Sequence, residues 1–144
     1  MANQLFPTIA IPSLVRPKRT ADLRYKKSAA WDTKTGDFVR DGVGKIETHS
    51  GRDAYMIWCI KTSMTERYAK LAYPHSIGAE LEAAKQEQSP EAVELALERT
   101  LTEAIMVNPR TEYVRDFAFE WNGEHLRVTF TVKGRDLEEF QVEL

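Results

Sequence analysis

Few side chains in this 144-residue chain can do covalent or metal chemistry: three histidines, His49, His75 and His125, and a single cysteine, Cys59. Nucleophilic catalysis needs a nucleophile within reach of a base, and the adjacency of His75 and Ser76 does not by itself make a hydrogen-bonded dyad. His125 falls at an outward position of an alternating strand, where a solvated surface histidine is the plain reading. No pair of His, Cys or Asp has zinc-ligand spacing, so neither a metal nor another cofactor is expected. Carboxylate pairs suited to glycoside hydrolysis can be nominated, Glu66 with Glu80 for instance, but 22 acidic residues make such pairs inevitable. Gly44-Lys45 is superficially like a phosphate loop. It fails because Val39 stands where the first glycine belongs and Ile46 where Ser or Thr would hold magnesium. No catalytic residue is assigned, and the chain is expected not to be an enzyme.

Recognition is the chemistry the residues support. Arg16, Lys18, Arg19, Arg24, Lys26 and Lys27 cluster near Tyr25 and Trp31, a combination that could hold phosphates and stack bases. A pI of about 6.0 and the absence of a recognised nucleic-acid module favour instead a basic arm docking on an acidic protein surface. The net charge of -2 hides this asymmetry. Residues 1–30 carry six basic and one acidic side chain, 31–79 seven and six, 80–103 two and seven, and 104–144 five and eight. A basic N-terminal segment and an acidic helical one bear on partners rather than on fold.

The elements that must position these groups are legible by period. Prolines 7, 12 and 17 make residues 1–30 an extended arm, with Phe6, Ile9, Ile11, Leu14 and Val15 giving it more apolar character than a spacer needs. It packs along its own domain or on a neighbour. Phe38–Arg40 and Lys45–Thr48 flank a glycine-containing turn and predict a hairpin. From Asp53, placed as a cap, a helix runs with Ala54, Ile57, Trp58 and Met64 near one face. Tyr55, Met56, Cys59 and Ile60 widen its apolar surface, so it is buried over most of its circumference. A short helix begins near Gly78–Glu82. A longer one starts at Ser89-Pro90-Glu91, with a stripe of Val93, Leu97, Thr100, Leu101, Ala104 and Ile105, and ends at Asn108-Pro109. Phe117, Phe119 and Trp121, then Asn122-Gly123, then Leu126, Val128, Phe130 and Val132 predict a second hairpin. Phe140, Val142 and Leu144 continue the alternation into a terminal strand at the sheet edge. The fold class is therefore α+β, an antiparallel sheet with a C-terminal β-meander packed against two or three helices. An extended arm (1–30) precedes one domain (31–144).

Hydrophobic residues at 42% and charged residues at 29% fit a globular domain that folds without disulfide or metal. The lone cysteine fits a reducing compartment, and neither a signal peptide nor a run of about 20 apolar residues is visible, so cytoplasmic synthesis and no membrane contact are expected.

Taken in order, Ile57-Trp58-Cys59-Ile60, Thr65-Glu66-Arg67-Tyr68, Tyr73, Ile77–Leu81, Ser89-Pro90-Glu91, Glu103-Ala104-Ile105, Asn108-Pro109-Arg110 and the Val114–Val132 hairpin resemble phage tail baseplate proteins of PBSX-like defective prophages. These belong to the wider lysozyme-like family of baseplate wedge proteins, and the likeness covers roughly residues 36–133. The resemblance implies a structural subunit at the inner wedge of a contractile tail or tail-like particle, assembled in the cytoplasm and then carried in the baseplate, that helps initiate the sheath. The partners it implies are wedge proteins and sheath subunits, with tail tube or hub as further candidates, in several copies of a symmetric assembly. Many members carry Glu-Pro-Arg after the long helix where this chain has Asn108-Pro109-Arg110, which removes the acid of any ion pair made there. Partner contacts are expected at Asn108, Pro109 and Arg110, at the turn Thr65, Glu66 and Arg67, at Phe140 and Val142 of the terminal strand, and at Arg16, Lys18 and Arg19 of the arm. Peptidoglycan cleavage and nucleic-acid binding through the arm are the alternatives.

Overall fold

The computed structural model describes residues 22–144. Its longest helix, α3 (Pro90–Met106), starts as its sequence requires, with the Ser89 hydroxyl accepting the Ala92 amide at 3.2 Å and Pro90 in the first turn, where no partner for its nitrogen is needed. Its buried residues are the six of the predicted stripe, Val93, Leu97, Thr100, Leu101, Ala104 and Ile105. Thr100 is tolerated among them because its hydroxyl accepts the Glu80 amide at 2.7 Å.

Helix α1 (Gly51–Met64) begins two residues before the expected cap. Ser50 occupies that position without a side-chain bond, and Asp53 lies in the first turn, where its charge still complements the helix dipole. From Ala54 to Ser63 every residue is buried or half-buried, as predicted for the central helix, but Met64 is two-thirds exposed. A five-residue helix, α2 (Leu81–Lys85), lies against α3.

Four two-residue strands precede α1: β1 (Ser28–Ala29), β2 (Trp31–Asp32), β3 (Asp37–Phe38) and β4 (Thr48–His49), paired β1 with β4 and β2 with β3. They meet at fully buried Ala30 in a closed ring of backbone bonds: Ala30 donates to Glu47, Glu47 to Val39 and Val39 to Ala30, at 2.9, 2.9 and 3.0 Å. The predicted Phe38–Thr48 hairpin is present as the Arg40–Ile46 bridge, its turn held by Asp41 Oδ1 accepting the amides of Val43 and Lys45. Trp31 meets Phe38 edge to face, and Lys61 lies 4.0 Å from the Trp31 ring centre, tying this ribbon to α1.

The C-terminal sheet has the order β5 (Thr111–Asn122), β6 (His125–Gly134), β7 (Phe140–Glu143), all antiparallel, so β7 is an edge strand. Asn122 faces His125, which makes Gly123-Glu124 the two-residue loop, one residue later than an Asn-Gly turn. Gly123, at φ +64°, takes the first central position that suits only glycine. A bulge between Arg115 and Ala118 places Asp116 at φ +58°. Strict alternation would put Val114 and Phe117 on opposite faces. The extra residue turns both to the core, where Phe117 stacks on Phe130 at 5.0 Å.

One polar chain joins the layers. The Tyr55 hydroxyl of α1 contacts Thr111 Oγ1 of β5 at 2.7 Å, and Thr111 donates to the Ile105 carbonyl at the end of α3 at 2.8 Å. Burial pushes the Tyr55 phenol well above its usual range, so it stays a donor. Replacing Thr111 with valine strands the buried phenol and leaves the Ile105 carbonyl with the Asn108 amide, at 3.2 Å, as its remaining donor. Chemical denaturation of Thr111→Val is expected to show a loss of about 1–3 kcal/mol, with Thr111→Ser retaining most of the stability.

Candidate functional site

The turn after α1 is an internal lock. Thr65 donates to the Lys61 carbonyl at 2.6 Å and so closes the helix end. Glu66 Oε2 accepts the amides of Leu81 and Glu82 at 3.0 and 3.2 Å, capping the N-terminus of α2 from across the turn where Glu80 at the cap position makes no such bond. Arg67, its side chain one-tenth exposed, donates from Nε to the Gly78 carbonyl at 3.0 Å and from Nη1 to Glu80 at 3.2 Å. Two backbone bonds, Arg67 to Ala79 and Ala79 to Thr65, complete the clasp. The two carboxylates nominated for hydrolysis, Glu66 and Glu80, are thus engaged in capping and ion pairing. Glycine is required at 78, where φ is +96° and a Cβ would lie 2.5 Å from the Thr65 carbonyl oxygen. Gly78→Ala is expected to cost about 1–3 kcal/mol in thermal or urea unfolding while leaving the α3 stripe intact.

The clasp props out residues 68–77, a loop in which Leu71 is fully exposed and Tyr68 and Tyr73 are more than half exposed. Tyr68 sits at φ +67°, a conformation that strains an aromatic residue, and its ring meets His75 edge to face at 5.4 Å.

At the corner where α3 turns into β5, Asn108 Oδ1 accepts the Arg110 amide at 3.0 Å and lies 3.5 Å from Arg110 Nη1. Arg110 Nε donates to the Arg24 carbonyl at 2.8 Å, and Arg135 Nε to the Pro109 carbonyl at 3.1 Å. Among the described residues no carboxylate pairs with this guanidinium. Together with Lys26 and Lys27, this charge lines a cleft of about 250 Å³ between the incoming chain and α1. Tyr25 closes one end of it, packed edge to face on Tyr55 and donating to the Arg135 carbonyl at 2.7 Å.

Phe140 and Val142 are placed differently from expectation. Their side chains are 6% and 1% exposed and fill the core, so they are not partner-facing. Val128 and Leu144 exchange both backbone bonds, and the antiparallel alternation then directs the amides and carbonyls of residues 140, 142 and 144 to β6 and those of Gln141 and Glu143 outward. The exposed side chains of Gln141 and Glu143 mark the same free edge. Sequence reasoning passed over these two, although the alternation that buried 140 and 142 pointed to them. The sheet face beyond the core carries charge pairs: Arg127 with Glu120 and Glu143, and Arg115 with Glu139. The Tyr113 hydroxyl and the Arg115 guanidinium hold the Glu139 carboxyl below its ordinary range.

Arg16, Lys18 and Arg19 lie outside the described residues. Among the described residues no group of three or more His, Cys, Asp or Glu could hold a metal ion, and no helix is long and apolar enough to cross a membrane. Burial pushes the Cys59 thiol up to about 12, so at neutral pH it stays protonated inside the core. Alkylation of the native protein should therefore be slow from pH 7 to 9 and should accelerate only when denaturant exposes the residue.

Residues 27–136 match the family model of the contractile injection system sheath initiator. With more than half of its length matched, the chain belongs to the sheath initiator family and has a structural role in sheath assembly of a contractile injection system. No curated protein matches it as a relative.

Proposed function

We propose that this chain nucleates the first ring of the sheath by offering the outer edge of β7 as a template for a strand from a sheath subunit. The observation that carries this reading is the division of labour in β7. Phe140 and Val142 anchor the strand in the core while Gln141 and Glu143 turn their backbone groups outward. A strand held rigidly by its side chains loses little entropy when its edge is paired, which favours addition of a second strand. The proposed location is the inner wedge of a baseplate of the PBSX-like prophage type. The positive cleft at Asn108, Pro109 and Arg110 would receive an acidic segment of a wedge neighbour, and the Thr65–Arg67 clasp would act through the loop it holds rather than by direct contact. Association of the sheet edge with sheath and of the cleft with wedge gives the subunit two separate neighbours, with tube or hub against the remaining surface.

Proline at 141 removes only an outward amide, because that nitrogen is not bonded to β6, and so blocks strand addition without breaking the sheet. Gln141→Pro is expected to keep the melting temperature within a few degrees of the parent yet to leave particles with short or absent sheaths by negative-stain microscopy. Gln141→Ala should leave sheaths normal. Normal sheaths on the proline variant would overturn the template role.

A further inference from the structure

At the end of the molecule away from the basic cleft, a groove of about 530 Å³ opens between α2, α3 and the tip of the β5–β6 hairpin. Leu81, Leu97, Trp121, Leu126 and Leu144 line it, and exposed Met64 stands at its rim. At its base the Ser63 side chain is fully buried, and its hydroxyl has no hydrogen-bond partner among the described residues. A buried hydroxyl without a partner is costly. In a groove lined mostly by apolar side chains, with Lys85, Glu124 and His125 as its charged and titratable members, it marks a place where a backbone amide or carbonyl would be bonded, so the groove suits an extended apolar peptide better than a single side chain.

We infer that this groove seats residues 6–15 of the same chain. The segment has the matching chemistry: Phe6, Ile9, Ile11, Leu14 and Val15 are apolar, and prolines 7 and 12 favour an extended backbone. Length fits as well. Arg110 holds the Arg24 carbonyl at the C-terminal end of α3, and Leu97 lies nine residues, or about 14 Å, back along that helix. The eight residues 16–23 between Val15 and Arg24 span at most about 29 Å when extended, about twice that distance, so Val15 reaches the groove from the chain's own corner. Charge fits in the same direction. Arg16, Lys18 and Arg19 would run back along a helical region carrying seven acidic and two basic side chains, with Glu91 and Glu98 exposed on α3 and Glu124 on the groove lining.

Hydrogen exchange on the full chain and on one lacking residues 1–20 tests the assignment. On deletion the amides of Leu97–Leu101 and Leu126–Val128 should lose about tenfold in protection, while those around Ala30 and Tyr55 stay unchanged. Leu14→Asp should reproduce the deletion. Unchanged groove protection in both variants would overturn the proposal. In the full chain, Leu14→Cys with Met64→Cys should close a disulfide within a monomer, the native Cys59 being buried and protonated. A disulfide-linked dimer would assign the groove to the arm of a second copy and overturn the intrachain seat, as would failure of the bond to form under oxidation.

Discussion

The bond from the Tyr55 phenol through Thr111 to the Ile105 carbonyl is the constraint on which the other parts depend. It joins the central helix, the end of α3 and the start of the sheet through one buried path in which every polar group has a partner. The phenol ring is equally committed: it meets Tyr25, Trp58 and Phe140 on three sides. Against Gly134 it approaches so closely that a Cβ there would lie 2.9 Å from its ring. A single residue thus sets the distance between α1 and both the incoming chain and β7. Any shift in it would move the positive cleft and the free edge together.

From that fixed point the fold distributes its surfaces by a simple economy of polar groups. Turns satisfied by their own chain, such as Asn108 with Arg110 and Glu66 with the α2 amides, leave the loops and edges around them rigid enough to be recognised. The clasp at Arg67 has the same effect on the exposed 68–77 loop. Ion pairs on the outer sheet face are solvated and add little to stability, but they keep a broad β-surface from pairing indiscriminately.

Much of this was legible in advance because periodicity reports directly on burial. The α3 stripe, the Ser89 cap, the hairpin and the alternation of the last strand follow from side-chain spacing alone. What escaped were features made by contacts distant in sequence. The Asp116 bulge has no glycine to announce it, and the ring of bonds at Ala30 joins three segments whose separate patterns are weak. For Thr65, Glu66 and Arg67 the resemblance left both partner contact and internal pairing open. Their charges in fact meet Gly78, Glu80, Leu81 and Glu82, 11 to 16 residues on, a distance over which local pattern carries no information.

The sequence by itself determined the α+β class, the order of the helices and the C-terminal strands, and the core stripe of α3, since these follow from residue type and local period. Only the tertiary structure decided which groups remain available. It turned Phe140 and Val142 inward and Gln141 and Glu143 outward, locked Arg67 inside, and left the charge of Arg110 beside Lys26 and Lys27. The physical reason is that availability is what remains after every other polar group and apolar face has found its partner, and that can be counted only once the chain has closed on itself.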